Sequence, residues 1–250
     1  MNPQSAREHE IWVSLAGVMD PELDESVTEL NFVTGITVDA ENRVHIGFRL
    51  PTYWCAANFA FLMADDMRRA ALSVPWVGHV DVELGEHMYA ETINAGLSKG
   101  LSFQQTFGKE ADGDLEDLRQ TFLIKAFQRR QVALLQHLLT MGFAAGELVQ
   151  LRIGELAEAA LDPEGDKLRQ RYLDRRAVVG PPRQDALAFI TAEGARLTAD
   201  ALGGYVSRLR RVGVNVEFNS ALCRGLLSVR FDLETPFVPK SKLTPQQTAP

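Results

Sequence analysis

The residues that could do chemistry are few, and two of them are the only cysteines, Cys55 and Cys223. Cys55 lies in RLPTYWCAANFA, residues 49–60, where an alternating apolar run gives way to a helical one. The spacing predicts a helix over 53–73, with Thr52 as its N-cap just after Pro51. A thiol in the first turn of a helix meets unpaired N–H groups and the positive end of the dipole. Both favour the thiolate, the form that ligates metal or attacks an electrophile. The plainer role for a free cysteine is a small packed hydrophobe.

Other groups could join it. Glu83, Glu86, His87 and Glu91 cluster after an expected strand. If a helix begins near Gly85, His87 and Glu91 stand at i and i+4 on one face. Imidazole plus carboxylate at that spacing can hold iron or zinc. The alternative is a solvated acidic helix start. Cys223, in EFNSALCRGLL, is either a core thiol or a partner that approaches Cys55 in the fold. In the second case two thiolates and a carboxylate could hold a metal transiently. His45 and His79 fall on polar strand positions and read as surface residues, and His137 reads as a core or interface histidine.

The whole chain narrows the function classes. A net charge of -7 and a pI of about 5.3 leave no general basic face for nucleic acid. No run approaches the ~18 apolar residues of a membrane span. The N-terminus, MNPQSAREHEIW, has no basic region followed by an apolar one, so no signal peptide is expected. With two cysteines there is no disulfide framework, and the expected compartment is the reducing cytoplasm. P-loop, dinucleotide fingerprint, Gly-x-Ser-x-Gly and His-Glu-x-x-His motifs are all missing, so nucleotide-driven or serine-hydrolase chemistry has no support.

The elements that must position Cys55 follow from periodicity. Ile11, Leu15 and Val18 share a helical face, and the helix stops at Asp20-Pro21-Glu22. Ile36 and Val38, then Val44, Ile46, Phe48 and Leu50, alternate as the strands of a hairpin turning at 39–42. Phe59, Leu62, Met63, Met67, Ala70 and Ala71 follow a 3.6-residue period, and Val80, Val82 and Leu84 alternate again. The expected fold is α+β: a small α-β-β-α-β domain at 1–90, with helices packed on a three-stranded sheet. Residues 91–114 read as a linker or loop, rich in Gly, Ser, Gln and Asp. Residues 115–234 read as a mostly helical extension with a second small α+β element. Its expected parts are a long helix over 115–141 closed by Gly142, shorter helices over 146–160 and 164–176, and a helix over 196–211. LAFIT, VNVEF and LLSVRF read as strands. The proline-rich end, 235–250, reads as a disordered tail.

The order VMDPELDESVTELNFVTGITV, a second strand, LPTYWCAAN and then GHVDVEL resembles the iron–sulfur cluster assembly domain family. That family includes a cytosolic iron–sulfur targeting factor and a protein of the phenylacetate-degradation cluster. The resemblance covers about residues 8–85. It implies the helix–hairpin–helix–strand fold, and matches Asp20, Pro21 and Glu22 to the family's acidic turn and Cys55 to its single cysteine. Asp20, Glu22 and Cys55 are thereby expected to handle metal or cluster. Two departures stand out: Ala56 replaces the proline that usually follows the cysteine, and there is no cysteine-rich tail, which removes an autonomous zinc site. Beyond residue 90, GEHMYAETINAGL and NVEFNSALCRGLL resemble accessory proteins encoded beside soluble di-iron hydrocarbon monooxygenases of the propane-oxidising kind. The implied function is non-catalytic: maturation of a metalloenzyme's iron–sulfur or di-iron centre. No cofactor is expected to be bound stably, and iron or a cluster would be carried transiently. The implied partner is a client metalloprotein, such as a di-iron monooxygenase subunit, with a homodimer as another way to complete a thiolate site. The rival from another class is an interaction module or chaperone for such a subunit, in which Cys55 merely packs.

Overall fold

The alternation at Val44, Ile46 and Phe48 builds the middle strand of the sheet. In the computed structural model, which describes residues 3–111 and 113–231, β1 (Val33–Val38) and β2 (Arg43–Phe48) form an antiparallel hairpin. The Asp39 carboxylate closes its turn by accepting the Glu41 and Arg43 N–H groups at 3.0 and 2.8 Å, and Asn42 takes φ +61°. The third strand, β3 (His79–Leu84), runs parallel to β2, so the sheet order is β1-β2-β3. A parallel pair needs a crossover. Here it is α2 (Ala57–Leu72), which buries Phe61, Leu62, Met63 and Met67. The first helix, α1 (Pro3–Leu15), contributes fully buried Ile11 and Leu15. Each such apolar side chain contributes about 1.5–3 kcal/mol by leaving water. The fold is α+β with a helical extension, as the periodicity suggests.

The described residues fall into two units, 3–108 with 217–231, and 109–216. The stretch 91–114, expected as linker or loop, carries helical structure instead. It holds α3 (Ala90–Ser98) and α4 (Phe103–Phe107). Its polar composition is capping chemistry: Ser102 and Gln105 bond each other's backbone N–H groups, a reciprocal box that starts α4. Phe103 is buried, with its ring 5.6 Å from Phe61 and 4.8 Å from Phe107. Gly96 has no Cβ because the Thr106 side chain fills that space.

The second unit is built on α5 (Leu115–Thr140), ended by Gly142 at φ +99°. Phe127, Leu134 and Leu138 are buried, whereas Met141 is exposed. Around α5 come α6 (Ala145–Leu148), α7 (Ile153–Glu158), α8 (Pro163–Arg176) and the start of α9 (Ala199–Arg230). The second α+β element takes another form. LAFIT makes only isolated bridges, Arg152 to Leu187 and Ile190 to Arg196. VNVEF lies in α9, as does LLSVRF up to Arg230. No proline interrupts 199–230, and buried Leu202, Tyr205 and Val206 keep helical spacing, so context overrides the β preference of the valines. The tail expected over 235–250 lies outside the described residues. No helix among the described residues is long and apolar enough to cross a membrane.

Candidate thiol site in the first unit

Cys55 stands one residue before the N-cap of α2, which is Ala56, and not in the first turn. Thr52 does not cap the helix. Its hydroxyl lies 3.0 Å from Cys55 Sγ. The later start has a local cause. The Tyr53 carbonyl accepts the Met88 N–H at 2.8 Å, and the Cys55 carbonyl takes His87 Nε2 at 2.7 Å. Both carbonyls are engaged by these partners from outside the helix.

His87 is buried, 4% exposed. Its Nδ1 accepts the Tyr89 N–H at 3.2 Å, so Nε2 carries the proton and donates to Cys55. Burial, with the nearby Arg230 charge, holds its pKa below the usual histidine value against the raising effect of the Cys55 carbonyl. The expected helix-face pair of His87 and Glu91 does not form. The helix begins at Ala90, with Glu91 in its first turn and His87 ahead of it. His87 anchors the Cys55 backbone.

Asp20 organises the acidic turn. Its Oδ1 accepts the Glu22 and Leu23 N–H groups at 2.9 and 2.8 Å, and its carbonyl accepts the Asp24 N–H at 2.9 Å. Asp24 takes φ +54° to close the turn. The Asp20 carboxyl is buried, and its pKa is pushed up to about 6. Burial is the main cause, the Glu22 and Glu25 charges add to it, and the two N–H bonds oppose it.

The last turns of α9 meet this turn. Asn219 Nδ2 donates to Glu22 Oε1 at 3.0 Å, and the Ser220 hydroxyl donates to Glu25. Arg224 pairs with Glu25 and donates to the Glu29 carbonyl at 3.0 Å. Arg230 reaches the Glu86 carboxylate and carbonyl, each at 3.0 Å, and the Leu50 carbonyl at 3.4 Å. Cys223 lies on this segment. Its thiol pKa is pushed up to about 12, by burial first and then by the charges of Asp20, Cys55, Glu22 and Glu25.

The segment carrying Cys223 therefore sits against the acidic turn of Asp20 and Glu22, where the Cys55 charge is also felt, while His87 holds the Cys55 backbone and Glu91 lies on α3. Sequence reasoning missed Thr52 as the thiol's partner, and missed Glu25, Ser220, Arg224 and Arg230. The available signal was the spacing of 219, 220, 223, 224 and 227, which marks one helical face. Beside Cys55 the surface is apolar: Trp54 is 72% exposed, Tyr53 50% and Met88 49%. Among the described residues, no three His, Cys, Asp or Glu side chains form a ready metal site.

Residues 8–83 match the family model of iron–sulfur cluster assembly proteins. The match takes in Asp20, Glu22 and Cys55, and leaves out Glu86, His87, Glu91 and Cys223. A solved structure, domain of unknown function DUF59 from Bacillus anthracis, is similar at 24% identity over 38% of this chain and 94% of that chain, with a TM-score of 0.31. No curated protein matches the chain.

Proposed function

We propose that this chain is a non-catalytic accessory factor that assists assembly of a metalloenzyme's iron–sulfur or di-iron centre, with Cys55 as the thiol that handles the cargo. The observation that carries the reading is the setting of Cys55 within the residues that match the assembly family. The residue is half-buried, its sulfur rests on the Thr52 hydroxyl, and its backbone is gripped by a buried histidine. A thiolate is a good soft ligand for iron, but one or two thiols cannot cage a stable cluster. Cargo would therefore be held in transit, with the client or a second copy of the chain completing the ligand set. Asp20 and Glu22 would supply negative charge beside it. The client we favour is a di-iron monooxygenase subunit, supported by the sequence likeness of GEHMYAETINAGL and NVEFNSALCRGLL, and the setting is cytoplasmic. The test is Cys55→Ser in the native host, with client iron content and activity as the readout. Loss of both is expected, and unchanged loading would end the delivery reading.

The second reading is a pure interaction module, and one observation favours it. Tyr53, Trp54 and Met88 form an exposed apolar surface tied together by the Met88 N–H bond to the Tyr53 carbonyl. Exposed aromatic clusters of this kind mark protein contacts. Under that reading Trp54→Ala abolishes client capture, while Cys55→Ser has no effect on loading.

A further inference from the structure

The apolar surface beside Cys55 and the end of α9 are fastened to the same two stretches of chain. Tyr53, Trp54 and Met88 are exposed, and the Tyr53 carbonyl accepts the Met88 N–H at 2.8 Å. Arg230 donates to the Glu86 carbonyl at 3.0 Å and the Leu50 carbonyl at 3.4 Å, and the Arg49 guanidinium lies 4.4 Å from the centroid of the Phe231 ring. Glu86 precedes Met88 by two positions, and Leu50 precedes Tyr53 by three. Consecutive Cα atoms stand about 3.8 Å apart, so Met88 lies within about 8 Å of a residue that Arg230 holds. Phe231 is the last described residue, and the sequence continues as DLETPFVPKSKLTPQQTAP. The six residues from Phe231 to Phe237 can reach about 20 Å, enough to arrive on that surface with slack. There the chain reads Pro236-Phe237-Val238-Pro239, an apolar stretch framed by prolines. Such stretches dock on aromatic-lined surfaces at low entropic cost, because proline fixes φ in advance. Exposed methionine adapts its shape to what it meets. The tether keeps the stretch at an effective concentration on the order of millimolar, so even a weak contact is populated, and a free partner must outcompete it.

We propose that residues 236–239 of this chain seat on Tyr53, Trp54 and Met88, and hold the docking surface beside Cys55 until a client displaces them. The seating itself needs only the reach, the tether and the matching apolar chemistry. Its use as a guard against the wrong partner rests on the reading of that surface as a protein contact.

The experiment is hydroxyl-radical footprinting of the purified full chain against the full-length variant Phe237→Asp with Val238→Asp, read peptide by peptide. Modification of Tyr53, Trp54 and Met88 should rise about twofold or more in the variant, as loss of a contact populated more than half of the time requires. Trp12, exposed on α1, should label equally in both and so report intact folding. In a second measurement, a benzophenone photo-crosslinker in place of Phe237 should join residues 53, 54 or 88 of the same chain. Equal footprints at those three residues overturn the proposal. Crosslinks that fall elsewhere in the chain also overturn it, as do crosslinks between chains, which would give the surface to a second copy. Failure of the underlying reading looks different. If the footprints change as expected and Trp54→Ala leaves client capture intact, the contact reading falls and the seating stands. If Trp54→Ala abolishes capture and the footprints are equal, only the seating falls.

Discussion

Each unit buries polar groups, and the two do so to opposite ends. In the second unit, Gln131 is fully buried between α5 and its neighbours, with every polar atom used. Its Nε2 donates to the Ile190 carbonyl and the Tyr205 hydroxyl at 2.9 and 2.8 Å, and its Oε1 accepts the Ile190 N–H and meets the Tyr172 hydroxyl. Tyr172 donates to the Ala188 carbonyl at 2.5 Å, and buried Arg176 donates to the Ala188 and Leu187 carbonyls at 3.1 and 3.0 Å. Burial drives the Tyr172 hydroxyl far above the usual phenol range. This network is neutral apart from one guanidinium, and saturated. In the first unit the polar groups include acids and thiols, and burial with neighbouring negative charge raises the proton affinity of two of them, Asp20 and Cys223. A saturated network specifies structure, whereas crowded acids and thiols preserve chemistry at the expense of stability.

The largest effect should come from breaking the saturated side. Gln131→Leu takes the Gln131 partner from Tyr205 and the Ile190 backbone, and leaves Tyr172 only its bond to the Ala188 carbonyl. It should lower stability by about 3 kcal/mol, as several unsatisfied buried groups do. Native-state hydrogen exchange in α5 and α8 measures it, and a loss below ~1 kcal/mol would deny the network its structural role.

On the crowded side, Asp20→Asn should stabilise. The Asp20 pKa rises from 3.8 to about 6 on folding. The folded state therefore holds its proton more tightly, and stability is lost as pH rises from about 4 through 6. At pH 7 the loss amounts to about 3 kcal/mol at most. Asparagine keeps an oxygen for the Glu22 and Leu23 N–H groups and cannot ionise. Urea unfolding at pH 7 should show a gain approaching that figure, and a destabilised variant would contradict the account.

His87 has the opposite sign. Its lowered pKa gives stability that is present above pH 6.5 and lost as pH falls through the folded value. The two slopes overlap and partly cancel in the native chain. Asp20→Asn should expose an acid-side loss, and His87→Gln should remove that loss for about 1 kcal/mol of stability at pH 7. Unchanged pH profiles in both variants would mean that neither group titrates as described.

The smallest effect belongs to the segment's anchor. Arg230→Ala removes a pair whose Glu86 partner is largely exposed, so it should change stability by about 0.5 kcal/mol. Its mark should be faster hydrogen exchange confined to residues 219–231.

The sequence makes the sheet legible because Val44, Ile46 and Phe48 alternate and Asp39 and Asn42 suit a turn. It makes α2 legible because Phe59, Leu62, Met63, Met67, Ala70 and Ala71 follow a helical period. The start of α2 was not legible, because it depends on carbonyls taken by Met88 and His87, more than thirty residues away. The strand reading of VNVEF and LLSVRF failed because β-branched residues carry only a weak local preference. Cys55, Asp20 and Glu22 could be singled out from their own neighbourhoods. The contacts that bring Cys223, Ser220 and Arg224 to them span almost two hundred positions and leave no local pattern beyond one helical face.

The central claim is that one thiol is available for work and the other is withheld. Timed alkylation of the reduced, folded chain with iodoacetamide near pH 7.5, read peptide by peptide, tests it most directly. Cys55 should label at least about tenfold faster than Cys223, whose pKa of about 12 leaves almost no thiolate at that pH. Unfolding in urea should erase the difference. Equal slow labelling of both cysteines in the folded chain, or faster labelling of Cys223, would contradict the account.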